Sequence, residues 1–136
     1  MDPDEAHIRP LIADFMNASI GGDIGAILDM VSEDVVFLLP GQQSIVGETA
    51  FGEHLRAITG PAAPRIQGHG DVREVQVRGD RAFAWAQLSI TLGSPASGRG
   101  MTRAGFTLSV FRRENGRWRL ARDANMLTPV LPAVGD

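Results

Sequence analysis

The hydrophobic pattern of the chain changes near its middle, and this change limits the possible folds more than any other feature. Six apolar residues recur at helical spacing near the start: Ile8, Leu11, Ile12, Phe15, Met16 and Ile20. This stripe predicts an amphipathic helix over about residues 5–20. Glycines at 21 and 22, followed by Asp23, indicate that this helix ends and that Asp23 caps a second, short helix. A third helix is predicted over residues 47–60.

The second half of the chain instead shows the alternation of apolar and polar residues that is typical of β-strands. After a short strand, "VVFLLPG" at 35–41, long strands are predicted over 65–78, 81–92 and 101–113, and a last one in "GRWRLARDANML" at 116–127. Turn signals at Gly79-Asp80 and Asn115-Gly116 and a polar loop at 93–100 join these strands into a four-strand antiparallel meander. Gly68 and Gly70 predict a bulge or bend that lets the sheet curl. We therefore expect an α+β domain, with N-terminal helices covering one face of a curved antiparallel sheet that encloses a cone.

Length and composition narrow the class of protein. The 136 residues fit one domain spanning 1–136, with a core over about 5–128 and a loose tail, "PVLPAVGD". A formal net charge of -3 gives no basic footprint for nucleic acid. Cysteine is absent, which excludes disulfides and thiolate chemistry. The N-terminus has no apolar run for a signal peptide and no segment is long enough to span a membrane, so we expect a cytoplasmic protein without a membrane partner.

Two polar residues interrupt the last strand at a spacing that matters for chemistry. Asp123 and Asn125 are two residues apart, so both point to the same face of the strand, opposite to Trp118 and Leu120 if the strand is regular. If that face meets a cavity, burial would raise the pKa of Asp123 and make it a general acid or base, with Asn125 bonding a substrate oxygen. If it does not, Asp123 is expected to pair with an arginine, such as Arg103 or a cross-strand neighbour of Arg122, and Asn125 is expected to satisfy backbone groups at the end of the strand.

Histidines are the next candidates. His54 follows Phe51 by three residues and precedes Ile58 by four, which places it on the buried side of the third helix, either as a ligand-binding residue or as a hydrogen-bonded residue at the edge of the core. His69 lies between two glycines, either in the cavity or at the rim of the sheet. The three histidines have no metal-ligand spacing and there is no Cys, so no metal is expected. No cofactor motif is visible either, so no other cofactor is expected.

Several local strings resemble one known family. "SIGGDIGAILDMVSEDVVFLLPG" at 19–41, "IVGETAFGEHL" at 45–55, "VQVRGDRAFA" at 75–84 and "ENGRWRLARDANML" at 114–127 look like the SnoaL-like, ketosteroid-isomerase-like branch of the nuclear transport factor 2-like superfamily. The likeness covers about residues 5–128. It implies the cone-shaped fold and a homodimer formed through the convex face of the sheet, and small residues alternating at Ala82, Ala84 and Ala86 fit such an interface.

The resemblance also bears on the reaction. Steroid isomerases of the superfamily use a tyrosine and a protonated acid as an oxyanion hole, with a carboxylate base near the end of the first strand. This chain has no tyrosine, and Leu38-Leu39-Pro40 stands where that base is expected. The tyrosine and histidine set of scytalone dehydratase is missing too. The polyketide cyclases of the superfamily use a simpler mechanism, in which one carboxylate in the pocket moves a proton. The resemblance makes Asp123 the candidate for that role.

These observations combine into one hypothesis. The favoured function is a cofactor-free isomerase or cyclase-like enzyme acting on a hydrophobic carbonyl compound, with Asp123 as acid/base and with Asn125, His54 and Arg103 orienting oxygens. Ser19 corresponds to a position where relatives often carry a large aromatic residue, so it leaves room for the ligand. Six aromatic residues are available as cavity walls or as core: Phe15, Phe37, Phe51, Trp85, Phe106 and Trp118. The alternative is a non-catalytic ligand-binding or dimerisation module.

Overall fold

A computed structural model of the protein describes residues 3–58, 65–93 and 100–130. The elements in chain order are α1 (Glu5–Gly21), α2 (Ile24–Asp29), β1 (Val31–Leu38), β2 (Ile45–Val46), α3 (Glu48–Ile58), β3 (Arg65–Arg78), β4 (Arg81–Gly93), β5 (Gly100–Glu114), β6 (Arg117–Asn125) and β7 (Thr128–Pro129). The predicted α+β class is confirmed, and the third helix ends at Ile58 within its described part. The expected loop at 93–100 lies outside the described residues over 94–99, as does the tail over 131–136.

The junction between the first two helices follows the prediction from its glycines and Asp23. Gly22 closes α1 in the left-handed conformation, with φ +69°, which glycine adopts without steric cost. The Asp23 side chain then accepts a hydrogen bond from the backbone N–H of Ala26 and caps α2. A tight turn therefore links the two helices, and both pack on the same side of the sheet.

The long strands form one curled sheet with the order β2-β1-β6-β5-β4-β3. β3 to β6 make the predicted antiparallel meander, while β1 lies parallel to β6 and β7 pairs with the start of β5. Alternation along β4 defines two faces. The inner face, covered by the helices, carries the buried residues Ala82, Ala84 and Ala86; the outer face carries Phe83 and Trp85.

The side of the sheet on which these alanines were expected is wrong. Ala82, Ala84 and Ala86 were expected at a dimer interface on the convex face, but they are at most 7% exposed on the inner face, and Ala82 and Ala84 belong to the main core cluster. Their small size lets the helices approach the sheet, which explains the alternation without any partner chain.

The glycines of β3 also act differently from the prediction. β3 keeps its pairing with β4 through Gly68 and Gly70, and its bulge falls later, between Val72 and Glu74. A Cβ atom at Gly70 would overlap the side chain of Met16 on α1. Gly70 therefore provides space for α1 rather than a bend, because a side chain on the inner face would occupy the position of Met16.

No helix within the described ranges is both long and apolar enough to cross a membrane.

Candidate functional site

A bulge in β6 decides which side chains face the interior. Near the hairpin turn, Leu120 pairs with Phe111, but the next pairing joins Arg122 to Val110, so Ala121 is an extra residue in β6. The bulge reverses the alternation of the strand. Leu120 and Asp123 therefore both face inward, and the expectation that Asp123 and Asn125 lie opposite to Trp118 and Leu120 is wrong because the strand is not regular.

The inner face and the helices enclose a cavity of about 360 Å³. Its lining is mainly apolar, and it includes eight of the residues singled out from the sequence: Phe15, Ser19, Phe37, Phe51, His54, Arg103, Asp123 and Asn125. These residues of α1, α3 and the three strands β1, β5 and β6 thus meet around one space. Whether these residues bind a ligand stays a prediction, but their position makes contact with one possible.

Three aromatic residues expected at the cavity lie elsewhere. Trp85 is on the outer face, where its indole N–H donates to Glu74 Oε1 at 2.9 Å and its ring meets Phe106 edge-on. Phe106 is 47% exposed on that face. Trp118 is buried in the core beyond the cavity lining, and its indole N–H donates to Asp4 Oδ1. The pairing of β4 with β5 is regular at these residues, so odd and even positions point to opposite faces there and the inner face has no place for Trp85 or Phe106.

Asp123 has an environment suited to proton transfer. The Ser109 hydroxyl donates a hydrogen bond of 2.6 Å to Oδ1 of Asp123. No arginine among the described residues forms an ion pair with Asp123, so the expected pairing with Arg103 is absent there. Desolvation by burial raises the pKa of Asp123 to about 6, and the bond from Ser109 opposes part of that rise. The carboxyl group therefore changes its charge close to neutral pH.

Asn125 lies next to Asp123 on the same face, across from Thr107 on β5. Its Oδ1 accepts a hydrogen bond of 2.9 Å from the backbone N–H of Leu127. Because the amide oxygen is occupied in this way, the orientation of the side chain leaves its NH₂ group as the donor for a ligand. Asn125 can thus bond an oxygen atom held near Asp123.

The other polar groups of the lining come from different elements. His54 enters from α3, as its spacing predicted, and it is half-buried. Ser19 enters from α1, where its hydroxyl donates to the carbonyl of Phe15 at 2.8 Å. Ser109 and Thr107 were not singled out from the sequence. Serine and threonine are ordinary residues of a β-strand, so only the register of β5 against β6 reveals that these two hydroxyls lie beside the carboxyl and amide groups.

Three phenylalanines form one wall of the cavity, the phenylalanine wall, in which the rings stack on one another. The rings of Phe37 and Phe51 are stacked with centroids 4.0 Å apart, and Phe15 lies parallel to Phe37 at 6.2 Å. Phe37 and Phe51 are buried, whereas Phe15 is partly exposed. A planar ligand would extend this stack at Phe15, its partly exposed end, because offset stacking is a favourable arrangement of aromatic rings.

His69, for which the sequence allowed either the cavity or the rim, lies on the outer face opposite Ser89 and is exposed.

Within the ranges 3–58, 65–93 and 100–130, no three His, Asp or Glu side chains are grouped in a way that could hold a metal ion.

Comparison with known proteins agrees with this architecture. Residues 12–121 match the model of the SnoaL-like domain. A search of curated proteins finds no match.

Solved structures show the same fold over nearly the whole chain. A conserved protein from Planctomyces limnophilus is 28% identical, with a TM-score of 0.85 over 93% of this chain and 98% of that one. A ketosteroid isomerase-like protein from Erwinia carotovora atroseptica is 22% identical, with a TM-score of 0.80 over 97% of this chain and 100% of the other. A hexachlorocyclohexane dehydrochlorinase from Novosphingobium barchaimii is 16% identical, with a TM-score of 0.78 over 93% and 90%. At the identities of the last two, the likeness concerns the fold alone.

Proposed function

This chain belongs to the SnoaL-like domain family, and we propose that it is a cofactor-free enzyme that isomerises or cyclises a hydrophobic carbonyl compound by proton transfer through Asp123. Its fold is shared by isomerase-like and dehydrochlorinase proteins. Because one fold supports many reactions, the proposal depends on the site and not on these neighbours.

One observation carries the proposal: Asp123, hydrogen-bonded to Ser109, is the one carboxyl group among the described residues that line a largely apolar cavity. Burial raises the pKa of Asp123 to about 6, so near neutral pH the carboxylate is present as a base and its conjugate acid is still accessible. A side chain that only stabilised the fold would be expected to have a basic partner here, and Asp123 has a hydroxyl instead.

The reaction begins with removal of a proton from the carbon next to the substrate carbonyl. Asp123 takes this proton, the electron pair of the C–H bond forms a C=C bond, and the carbonyl oxygen becomes an enolate. In an isomerisation, Asp123 returns the proton to a different carbon of the conjugated system. In a cyclisation, the enolate carbon bonds to a second carbonyl carbon of the same molecule, and that oxygen receives the proton from Asp123.

The enolate oxygen needs hydrogen-bond donors, because its charge develops in a cavity with little water. The NH₂ group of Asn125 is the nearest candidate along β6, and His54 on α3 is a second donor from the helical side. The parallel rings of Phe15, Phe37 and Phe51 would hold a planar substrate beside these groups. Proton transfer, charge stabilisation and orientation are thus divided among different residues of the cavity.

The first test uses a ketone that reports proton transfer alone. The bicyclic ketone 2-tetralone exchanges the hydrogens next to its carbonyl with D₂O, and NMR follows the loss of their signals. We expect the protein to accelerate this exchange and Asp123→Asn to reduce the acceleration by about 10²- to 10⁴-fold. Asp71→Asn is the matched control, because Asp71 is an exposed carboxylate on β3 that does not line the cavity.

The same samples separate catalysis from binding. Line broadening of the 2-tetralone signals reports binding, and circular dichroism reports folding of each variant. Equal exchange rates for the protein and for Asp123→Asn, with binding intact in both, would refute the enzyme and leave the ligand-binding module as the function.

A further inference from the structure

Arg103 is a cation that has no carboxylate partner among the described residues. It lies on the inner face of β5, lines the cavity and is half-buried. Its Nη2 donates a hydrogen bond of 2.9 Å to the backbone carbonyl of Leu127. Among the described residues this is the one hydrogen bond of its side chain, and none of their carboxylates forms an ion pair with it.

The two other arginines of β5 differ in this respect. Arg112 bridges Asp34 and Glu114, and Arg113 bridges Asp4 and Asp80, all at 3.1 Å or less. A guanidinium group has five N–H donors in a planar fork that fits a carboxylate. Arg103 uses one of them on a carbonyl group, which carries no compensating charge. Its remaining donors are available to an anion inside the cavity.

The positions of Arg103 and Asp123 in the sheet limit the distance between their side chains. Ser109, Thr107, Gly105 and Arg103 follow one another along the inner face of β5, and the first of them holds Asp123. Leu127, whose carbonyl holds Arg103, is four residues after Asp123, a span of at most about 13 Å in extended chain. The guanidinium and the carboxyl group are therefore separated by a distance on the order of 10 Å.

Arg103 itself is partly exposed, so its end of the cavity reaches solvent. The next row of the inner face contains Leu92 and Ile66, which line the cavity and are also partly exposed. A charged group bound by Arg103 would keep part of its hydration, whereas the ring system of the same molecule would reach the apolar interior. Such a placement lowers the desolvation cost of binding an anion.

From these observations we propose that the substrate is an amphipathic acid: a hydrophobic ring system that bears the reacting carbonyl at one end and a carboxylate, bound by Arg103, at the other. This inference rests on the proposed function, since it assigns the substrate class of the same cavity. The carboxylate would neutralise Arg103 and would be kept about 10 Å from Asp123, so that the two acidic groups do not repel each other. Arg103 would fix the register of the ring system along the phenylalanine wall.

Matched probes test the charge preference without any turnover. 2-Naphthylacetic acid and 2-naphthylacetamide have the same ring and nearly the same shape, and they differ in charge at neutral pH. We expect calorimetry to give a dissociation constant about 10- to 100-fold lower for the acid, because a charge-assisted hydrogen bond is stronger than a neutral one. Arg103→Met should remove this preference, because it weakens binding of the acid far more than binding of the amide. Arg103→Lys should keep part of it.

Two control variants make the result specific. Arg56→Met removes an exposed arginine of α3 that does not line the cavity, so the preference should persist. Asp123→Asn should keep or increase the preference, since it removes a negative charge from the cavity. Retained amide binding by Arg103→Met shows that this variant is folded; if its fold is lost, Arg103→Lys decides between a reduced and an unchanged preference.

The outcomes separate this inference from the proposed function. Equal affinities for the acid and the amide in the unmodified protein, or a preference that survives in Arg103→Met, would overturn the acid as substrate class. Neither result concerns the exchange of 2-tetralone, which has no acidic group. Loss of exchange activity with an intact acid preference would instead refute proton transfer and retain Arg103 as an anion-binding residue.

Discussion

Ser109 and Asp123 lie on neighbouring strands, and the hydroxyl of the serine donates a hydrogen bond of 2.6 Å to the carboxyl group of the aspartate. The two side chains meet because the bulge at Ala121 turns Asp123 to the inner face, directly across from Ser109. Burial favours the neutral carboxylic acid, whereas this bond favours the carboxylate, and burial has the larger effect. Ser109 thus sets how readily Asp123 changes its charge.

Replacing Ser109 by alanine should therefore raise the pKa of Asp123 further above its value of about 6. Without the hydroxyl, the carboxylate loses the hydrogen bond that stabilises it, while burial is unchanged. The pH profile of 2-tetralone exchange, or an NMR titration of the Asp123 carboxyl carbon, would measure the shift. Ser109→Thr keeps a hydroxyl and should restore the original midpoint. A midpoint that is unchanged in Ser109→Ala would show that the bond does not act on the titration.

The stability of the protein should also depend on Asp123 in a predictable direction. The pKa of this group is raised from 3.8 to about 6 in the folded chain, so its protonated form is favoured by folding. This contribution is fully present below pH 3.8 and is lost as the pH rises through 6. A shift of this size corresponds to at most about 3 kcal/mol.

Urea unfolding of the protein and of Asp123→Asn, from pH 4 to pH 8, isolates that contribution. The asparagine does not titrate, so the free energy of unfolding of the variant relative to the protein should rise by up to about 3 kcal/mol across this range. Asp34 has a lowered pKa because Arg112 bonds it, which gives the opposite pH dependence, but it is present in both chains and cancels. A difference that stays constant with pH would contradict a raised pKa at Asp123.

Gly105 should tolerate no side chain. Its φ is +152°, and a Cβ atom there would lie 2.7 Å from the backbone carbonyl oxygen of Met126. Backbone cannot move aside as a flexible side chain can, so we expect Gly105→Ala to destabilise the protein by about 1–3 kcal/mol. The chain after β6 would also be pushed away from β5, which weakens the contact of Leu127 with Arg103. Gly79→Ala, in a turn with open space around it, is a control for positive φ alone. Equal melting temperatures for the two variants would contradict the steric argument.

Much of the fold could be predicted from the sequence, because it follows from local rules. The helical stripe, the Gly22–Asp23 junction and the turns at 79–80 and 115–116 depend on spacing and turn chemistry within a few residues. The role of Gly70 could not be predicted in this way, because its reason is Met16, which is distant in the chain and reaches β3 only after folding.

The site depended on a feature that the sequence does not show. A regular hairpin around Asn115-Gly116 would pair Ser109 with Arg122 and turn Asp123 away from Leu120. One extra residue at Ala121 changes both outcomes, and nothing in "RLARDAN" marks it as a bulge. The composition also could not show which aromatic residues line the cavity, as Phe15 and Phe37 do, and which lie on the outer face. Both faces of this sheet carry aromatic residues.

The outer face leads to the last prediction, which is that two copies of this chain associate through it. Such a dimer is what the likeness to the family implies. Phe83, Phe106 and Leu108 lie together on this face and are 38%, 47% and 41% exposed. Exposed apolar side chains that adjoin one another typically mark an interaction surface. These residues replace the buried alanines as the reason to expect self-association.

Light scattering after size exclusion should therefore give twice the chain mass at micromolar concentration. Leu108→Asp places a charge at the centre of the patch, beside Trp85 and Ala124, and should give a folded monomer because a desolvated, unpaired charge opposes association. Ala13→Asp adds the same charge at an exposed position of α1 and should leave the dimer intact. The outer face would have no such role if the unmodified protein is a monomer. The same conclusion would follow if Leu108→Asp leaves the dimer unchanged while Ala13→Asp dissociates it.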